Sequence, residues 1–121
     1  MVGSEPKFDL DERTAKFGEA VIAFAKQIPV NLVTTSIISQ LVRSATSIGA
    51  NYSEADDAGS RKEFMYRVSL CKRESRETKH WLRMVAAAEP GQKETARLLW
   101  QEAKELNLIF AAIHRKKRKE T

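Results

Sequence analysis

A chain of 121 residues, 42% hydrophobic and 31% charged, is long enough to form one domain around its own core. With only 5 Gly and 3 Pro it is neither fibrous nor disordered in composition, and no apolar run approaches the roughly 20 residues that span a bilayer. The net charge of +5 is unevenly placed: residues 1–59 carry 5 Lys/Arg against 8 Asp/Glu, a balance of −3, and residues 60–121 carry 16 against 8, a balance of +8. Polyanions are therefore candidate partners of the second half.

Residues 1–8 carry no periodic apolar pattern and read as a flexible tail. The segment lacks the basic-then-apolar order of a signal peptide, so a cytoplasmic location and no membrane partner are expected. Asp9, Asp11 and Glu12 suit the positive end of a helix dipole. Phe17, Val21, Phe24 and Ile28 then form one apolar stripe, and Pro29 stops it, which predicts a first helix over about residues 10–28.

Asn31 or Thr35 can cap a second helix, expected over 32–57, with Ile38, Leu41, Ala45, Ile48 and Tyr52 as its seam. Beside that seam runs a stripe of small and polar residues: Gln40, Ser44, Ser47, Asn51 and Glu54. Periodicity alone leaves two readings of it, a solvated face or a surface that another helix approaches closely. Acids and glycine gather at Ala55–Gly59, where the helix should fray.

Ser60-Arg61-Lys62-Glu63 has the form of a capping box and opens a third helix over 61–88. Phe64, Val68, Cys71, Ser75, Thr78, Leu82 and Val85 recur at steps of four and three, a heptad seam that demands nearly parallel or antiparallel neighbours. Glu89-Pro90-Gly91 breaks the chain again. A fourth helix follows over 92–117, with Leu99, Ala103, Leu106, Phe110 and Ile113 as its seam, and residues 118–121 form a basic tail. Four helices, short connections and no strand pattern predict an all-α, antiparallel up-down-up-down four-helix bundle over residues 9–117.

Ile37, Leu70, Trp81, Met84, Leu98, Trp100 and Ile109 lie to one side of the seams. A bundle core is somewhat wider than a coiled-coil stripe, but this set includes both tryptophans and would be a costly monomer surface. Part of it is expected to be a subunit interface.

The chemistry-bearing residues form few constellations. Glu77 and His80 have the E-x-x-H spacing of di-iron bundles, but His114 has Ala111 three positions before it, so the second half of such a site is missing. Cys71 sits on the helical seam as a small hydrophobe. Glu54, Glu74 and Glu77 have no nucleophile or phosphate loop beside them, and Arg43 is their candidate ion-pair partner. Neither a metal, nor a cofactor, nor catalysis is expected.

Lys72, Arg76, Lys79 and Arg83 recur at four, three and four and share one helical face. A solvated face paired with glutamates and a face that contacts nucleic-acid phosphates are both open. The run Arg115, Lys116, Lys117, Arg118 and Lys119 suits a helix C-terminus as well as a polyanion. Aromatic interleaving of the single-strand kind is thin, with Trp81 nearly alone.

The central stretch resembles the four-helix-bundle family of proteins encoded in intervening sequences of bacterial 23S ribosomal RNA genes, also labelled as ribosomal-protein-like. The resemblance rests on Gln40-Leu41-x-Arg43-Ser44, Ser47-Ile48-x-Ala50-Asn51-Tyr52-Ser53-Glu54-Ala55, Ser60-x-Lys62-Glu63-Phe64, Cys71-Lys72-x-Glu74 and Glu77-Thr78-x-x-Trp81-Leu82. It covers the end of the second helix and most of the third. It implies a ring-like homopentamer without catalytic activity. A related branch, the accessory variability determinant of diversity-generating retroelements, is a basic pentameric barrel that binds nucleic acid and a reverse transcriptase. The resemblance thus implies RNA or single-stranded DNA as a partner, and a reverse transcriptase if one is encoded nearby. It also makes the stripe Ser44, Ser47, Asn51 and Glu54 an internal or intersubunit hydrogen-bond network, which the candidate ion pairs of Arg43 with Glu74 and Glu77 would extend. Three classes of function stay open: an oligomeric nucleic-acid-binding accessory protein, a protein-interaction scaffold, and, least favoured, an enzyme.

Overall fold

The computed structural model describes the backbone of residues 9–120 and the side chains of residues 9–116. The expected tail at residues 1–8 lies outside the described residues. The helices are α1 (Leu10–Ala25), α2 (Thr34–Asp56), α3 (Arg61–Ala88) and α4 (Lys93–Glu120), with a 3-10 turn at Pro90–Gln92 and no strand among the described residues. Each helix packs on the next and α4 returns to touch α1, so α1 and α3 are diagonal, as are α2 and α4. Bonds that pair Arg43 with Glu77, and Asn51 with Arg67, show that α2 and α3 run antiparallel. This is the all-α four-helix bundle that the seams require.

The helix ends obey local chemistry. Asp9 accepts a hydrogen bond from the Glu12 amide and starts α1. The helix ends at Ala25, three residues before the expected 28. Proline disfavours the α conformation in Ile28 before it, and the chain tightens to i→i−3 bonds from the amides of Gln27 and Ile28. Between α1 and α2, Asn31 Oδ1 accepts from the amides of Val33 and Thr34, each at 2.9 Å. Thr35 does not cap: its hydroxyl donates to the Asn31 carbonyl. At the other turn, Ser60 Oγ accepts from the Glu63 amide at 3.1 Å and starts α3. The fourth helix starts at Lys93 and runs on to Glu120, so most of the segment expected as a tail at 118–121 is helical; straight-chain Lys, Arg and Glu lose little freedom there.

The core takes one layer from each helix. Phe17, Val21 and Phe24 of α1, Leu41, Ala45 and Ile48 of α2, Val68, Cys71, Leu82 and Val85 of α3, and Ala103, Leu106 and Phe110 of α4 are all buried. Ile28, just past α1, joins them. The seam positions nearest the helix ends (Ile38, Tyr52, Phe64, Leu99 and Ile113) are only half-buried, because fewer neighbours reach them. Of the off-seam apolar residues, Ile37, Trp81, Trp100 and Ile109 rest against the core, whereas Leu98 is 71% exposed.

Helices α1 and α2 approach through glycine. A Cβ on Gly49 would meet Thr14 Oγ1 at 3.3 Å and its carbonyl carbon at 3.5 Å, a tight fit in which the Thr14 side chain would have to give by a few tenths of an ångström. Arg13 then ties α1 to α4: its Nε donates to Glu102 at 2.7 Å and its Nη2 donates to Glu102 and Glu105. The Glu102 hydrogen bond, aided by attraction to both carboxylates, holds Arg13 above its ordinary pKa despite burial.

Candidate nucleic-acid interface

The polar groups of α3 separate into two sets, one turned to α2 and the other to α4. On the α2 side, Glu74 is 6% exposed and its Oε1 accepts from Arg43 Nη1 at 3.3 Å. Arg43 Nη2 donates to Glu77, and Arg43 Nε donates to Gln40 Oε1 at 3.0 Å. Trp81 Nε1 also donates to Glu77, at 3.0 Å. That indole bond first, and then the bond and charge of Arg43, hold the Glu77 carboxyl below its usual range. Burial by itself would lower the Arg43 pKa, but its two carboxylate partners raise it.

The small-polar stripe of α2 runs into this seam. Ser44 is fully buried with its Oγ against Thr78. Ser47 Oγ donates to the Arg43 carbonyl, and Asn51 Nδ2 donates to the Ser47 carbonyl. Asn51 Oδ1 accepts from Arg67 Nη1 at 3.2 Å. Of the stripe, Ser44 and Asn51 therefore bond to α3, Gln40 and Ser47 bond to Arg43 within α2, and Glu54 is exposed at its far end. Arg67 escapes a reading of spacing, since it lies on no stripe of like residues.

On the α4 side the cations gather. At 3.6 residues per turn, Lys72, Arg76, Lys79 and Arg83 fall within roughly 60° of one another on α3, while Glu74 and Glu77 lie more than about 100° away. Asn107 fixes the register by donating from Nδ2 to the Lys72 carbonyl at 2.7 Å and to Ser75 Oγ at 3.1 Å. Opposite stand Lys93, Arg97 and Lys104 of α4, cations that lie on no apolar seam, with off-seam Trp100 among them. They recur at four, three and four, the same rhythm as the cations of α3. At 3.6 residues per turn exposed Arg115 falls on the same side of the helix.

Arg83, Lys93 and Arg97 line one groove with Leu82, Ala86, Ala96 and Trp100. Lys79 Nζ and Lys104 Nζ each sit 5.6 Å from the Trp100 ring centroid. The α4 carboxylates Glu102 and Glu105 are turned to Arg13 on α1 instead. Among the described residues, none of the cations on this face is ion-paired with a carboxylate. Lys116 is exposed beside Arg115; the side chains of Lys117, Arg118 and Lys119 lie outside the described residues.

Other reactive groups are placed elsewhere. Cys71 donates from Sγ to the Ile48 carbonyl, and burial pushes its thiol up to about 12. His80 is exposed and packs edge-on against Trp81. No cluster of three or more His, Cys, Asp and Glu with metal-binding geometry occurs among the described residues. No described helix is long and apolar enough to cross a membrane.

Comparison with known proteins agrees with this architecture. A family model described as 23S rRNA-intervening sequence protein matches residues 7–112. A solved structure, that of a protein of unknown function from the S23 ribosomal protein family of Bacteroides thetaiotaomicron VPI-5482, is 27% identical and superposes with a TM-score of 0.75. The likeness covers 87% of this chain and 97% of that one. No curated protein matches the chain.

Proposed function

The chain belongs to the 23S rRNA-intervening sequence protein family, and from that membership we propose that it is a non-catalytic, homo-oligomeric accessory protein that binds RNA or single-stranded DNA. The observation that carries this reading is the charge segregation of the α3–α4 face. Lys72, Arg76, Lys79 and Arg83 stand opposite Lys93, Arg97 and Lys104, while Glu74, Glu77, Glu102 and Glu105 are engaged by Arg43 and Arg13 on other faces. A polyanion reaching this face meets cations that no internal carboxylate has neutralised. Contacts to phosphate carry no sequence information, so binding is weak and largely independent of sequence. In the pentamer that the family resemblance implies, the face repeats in every subunit, and modest contacts add when one strand reaches several copies.

Electrophoretic retardation of short RNA and single-stranded DNA, measured against salt, tests the reading. Affinity should fall with a log–log slope of about −0.7 per phosphate neutralised. Reversing charge at Arg76 and Arg83 should weaken all sequences alike and flatten that slope. Absence of retardation at low salt would overturn it. Light scattering should return several times the 13.7 kDa chain mass, and a monodisperse monomer would remove the oligomer.

A second reading, a protein-interaction scaffold, draws on a different surface. Val30, Leu32 and Val33 in the α1–α2 connection are 77%, 99% and 62% exposed, an apolar tip suited to a protein partner. The resemblance makes a reverse transcriptase the first partner to try where one is encoded nearby.

A further inference from the structure

We propose that the groove between the end of α3 and the start of α4 is a nucleobase-stacking subsite, with Trp100 as its platform. The inference rests on the nucleic-acid reading and adds to it a place where a base, and not only a phosphate, is held.

The floor of the groove is apolar: Leu82 and Ala96 are each 1% exposed, and Ala86 lies beside them. Its rim is cationic, with Arg83 on one side and Lys93 and Arg97 on the other, and no carboxylate among its lining residues. Its volume of about 290 Å³ is at the small end of ligand pockets, a fit for one flat ring and not for a folded segment. Trp100 is partly buried, packs against the core and lines the groove. Single-strand binding proteins combine these two elements, cations that follow the backbone and an aromatic face that takes a base whatever its identity.

Lys79 and Lys104 complete the arrangement. Their ammonium groups lie over the Trp100 ring on flexible four-carbon stems, so an arriving base displaces them toward the phosphates on either side of it. Arg83 and Lys79 are one helical turn apart, about 6 Å along α3, and so meet neighbouring parts of one strand.

The alternatives in the molecule are worse placed. Trp81 spends its indole N–H on Glu77, on the carboxylate side of α3. The groove between α1 and α2, about 370 Å³, is lined by Asp11, Glu12 and Glu19 and repels phosphate. Of the two tryptophans, only Trp100 stands in a field that attracts a nucleic-acid strand.

The test compares a short oligothymidylate with an abasic oligomer of the same length and charge. In a Trp81→Phe background Trp100 is the sole indole, and oligothymidylate should quench its fluorescence saturably while the abasic oligomer should not. Trp100→Leu should weaken oligothymidylate roughly 5- to 100-fold, down to the affinity of the abasic oligomer, and leave the abasic affinity unchanged. If both oligomers bind the wild-type chain equally and Trp100 emission does not change, the stacking subsite is overturned while the electrostatic reading stands. If neither binds at low salt, both fall. Polyglutamate that quenches Trp100 as well as oligothymidylate does would also overturn the subsite, since the groove would then answer to charge alone. Should Trp81→Phe fail to fold, the affinity comparison in the wild-type chain decides by itself.

Discussion

Thr78 Oγ1 lies 3.0 Å from Ser44 Oγ, and both residues are fully buried between α2 and α3. The pair is more constrained than its distance suggests. Thr78 Oγ1 is also 2.8 Å from the Glu74 carbonyl, and Ser44 Oγ is 3.2 Å from the Leu41 carbonyl. Two hydroxyl protons thus serve three contacts. Either Thr78 donates to Ser44 and Ser44 to Leu41, or Ser44 donates to Thr78 and Thr78 to Glu74. Each arrangement satisfies both hydroxyls, which is what allows polar groups to occupy a helical seam.

Removing both members should therefore cost less than the two single removals added together. Thr78→Val and Ser44→Ala should each lower stability by about 1–2 kcal/mol, and the double variant should lose less than their sum. Urea unfolding of the two single variants and the double variant measures the coupling. Strict additivity would show that the hydroxyls act independently.

Core substitutions should rank by burial. Leu82, 1% exposed, should cost about 2–5 kcal/mol as Leu82→Ala. Phe64, half-buried at the start of α3, should cost less as Phe64→Ala although the side chain is larger. Thermal melts of the two variants check the order.

The glycines at the α1–α2 contact should respond differently to alanine. A Cβ on Gly18 meets its nearest atoms in Thr46 at 3.7 Å, an ordinary contact. Gly18→Ala should stabilise by about 0.5–1 kcal/mol through helix propensity. At Gly49 the same gain is opposed by the buried Thr14 hydroxyl, which is itself bonded to the Leu10 carbonyl at 2.7 Å. Gly49→Ala should gain less than Gly18→Ala or lose stability, and equal gains in melting temperature would refute the contact.

Acid should weaken the α2–α3 seam through Glu77. Its carboxyl is held below the ordinary 4.5, so its contribution to stability is full above that value and is lost as pH falls through the lower folded pKa. Glu77→Gln should be less stable than the wild type at neutral pH, and the gap should close under acid. Urea midpoints of both chains across that range test it; a gap that stays constant to low pH would remove Glu77 from the acid response.

The cations of α4 should matter as much as those of α3. Charge reversal at Arg97 and Lys104 should flatten the salt dependence of single-strand binding by about 1.4 log–log units, two contacts' worth. Reversal at Arg73, whose Nη2 lies 3.9 Å from Glu74 away from this face, should leave the slope unchanged. Equal effects at the three positions would mean that net charge acts, not a defined face.

Spacing in the sequence was enough to determine the bundle. Steps of four and three name the buried residues of each helix, and Pro29, Gly59 and Pro90 mark the connections, because helix periodicity and proline chemistry are local. It also offered Arg43 as a partner to Glu54, Glu74 and Glu77, of which the last two bond to it. What a helical stripe cannot tell is which neighbour it faces. Lys72, Arg76, Lys79 and Arg83 read equally well as a solvated face, since their glutamate neighbours are close in sequence. Only packing separated them, by giving Glu74 and Glu77 to Arg43 on α2 and leaving the cations beside α4. In sequence, Lys93, Arg97, Trp100 and Lys104 are a separate stripe on the next helix, past the Pro90 break. They join the α3 cations because antiparallel packing, held by Asn107 on Lys72 and Ser75, sets Trp100 beside Lys79 and Arg83. Charge and periodicity are properties of one helix, whereas a shared surface is a property of two, and the register between them is decided by the tertiary contacts.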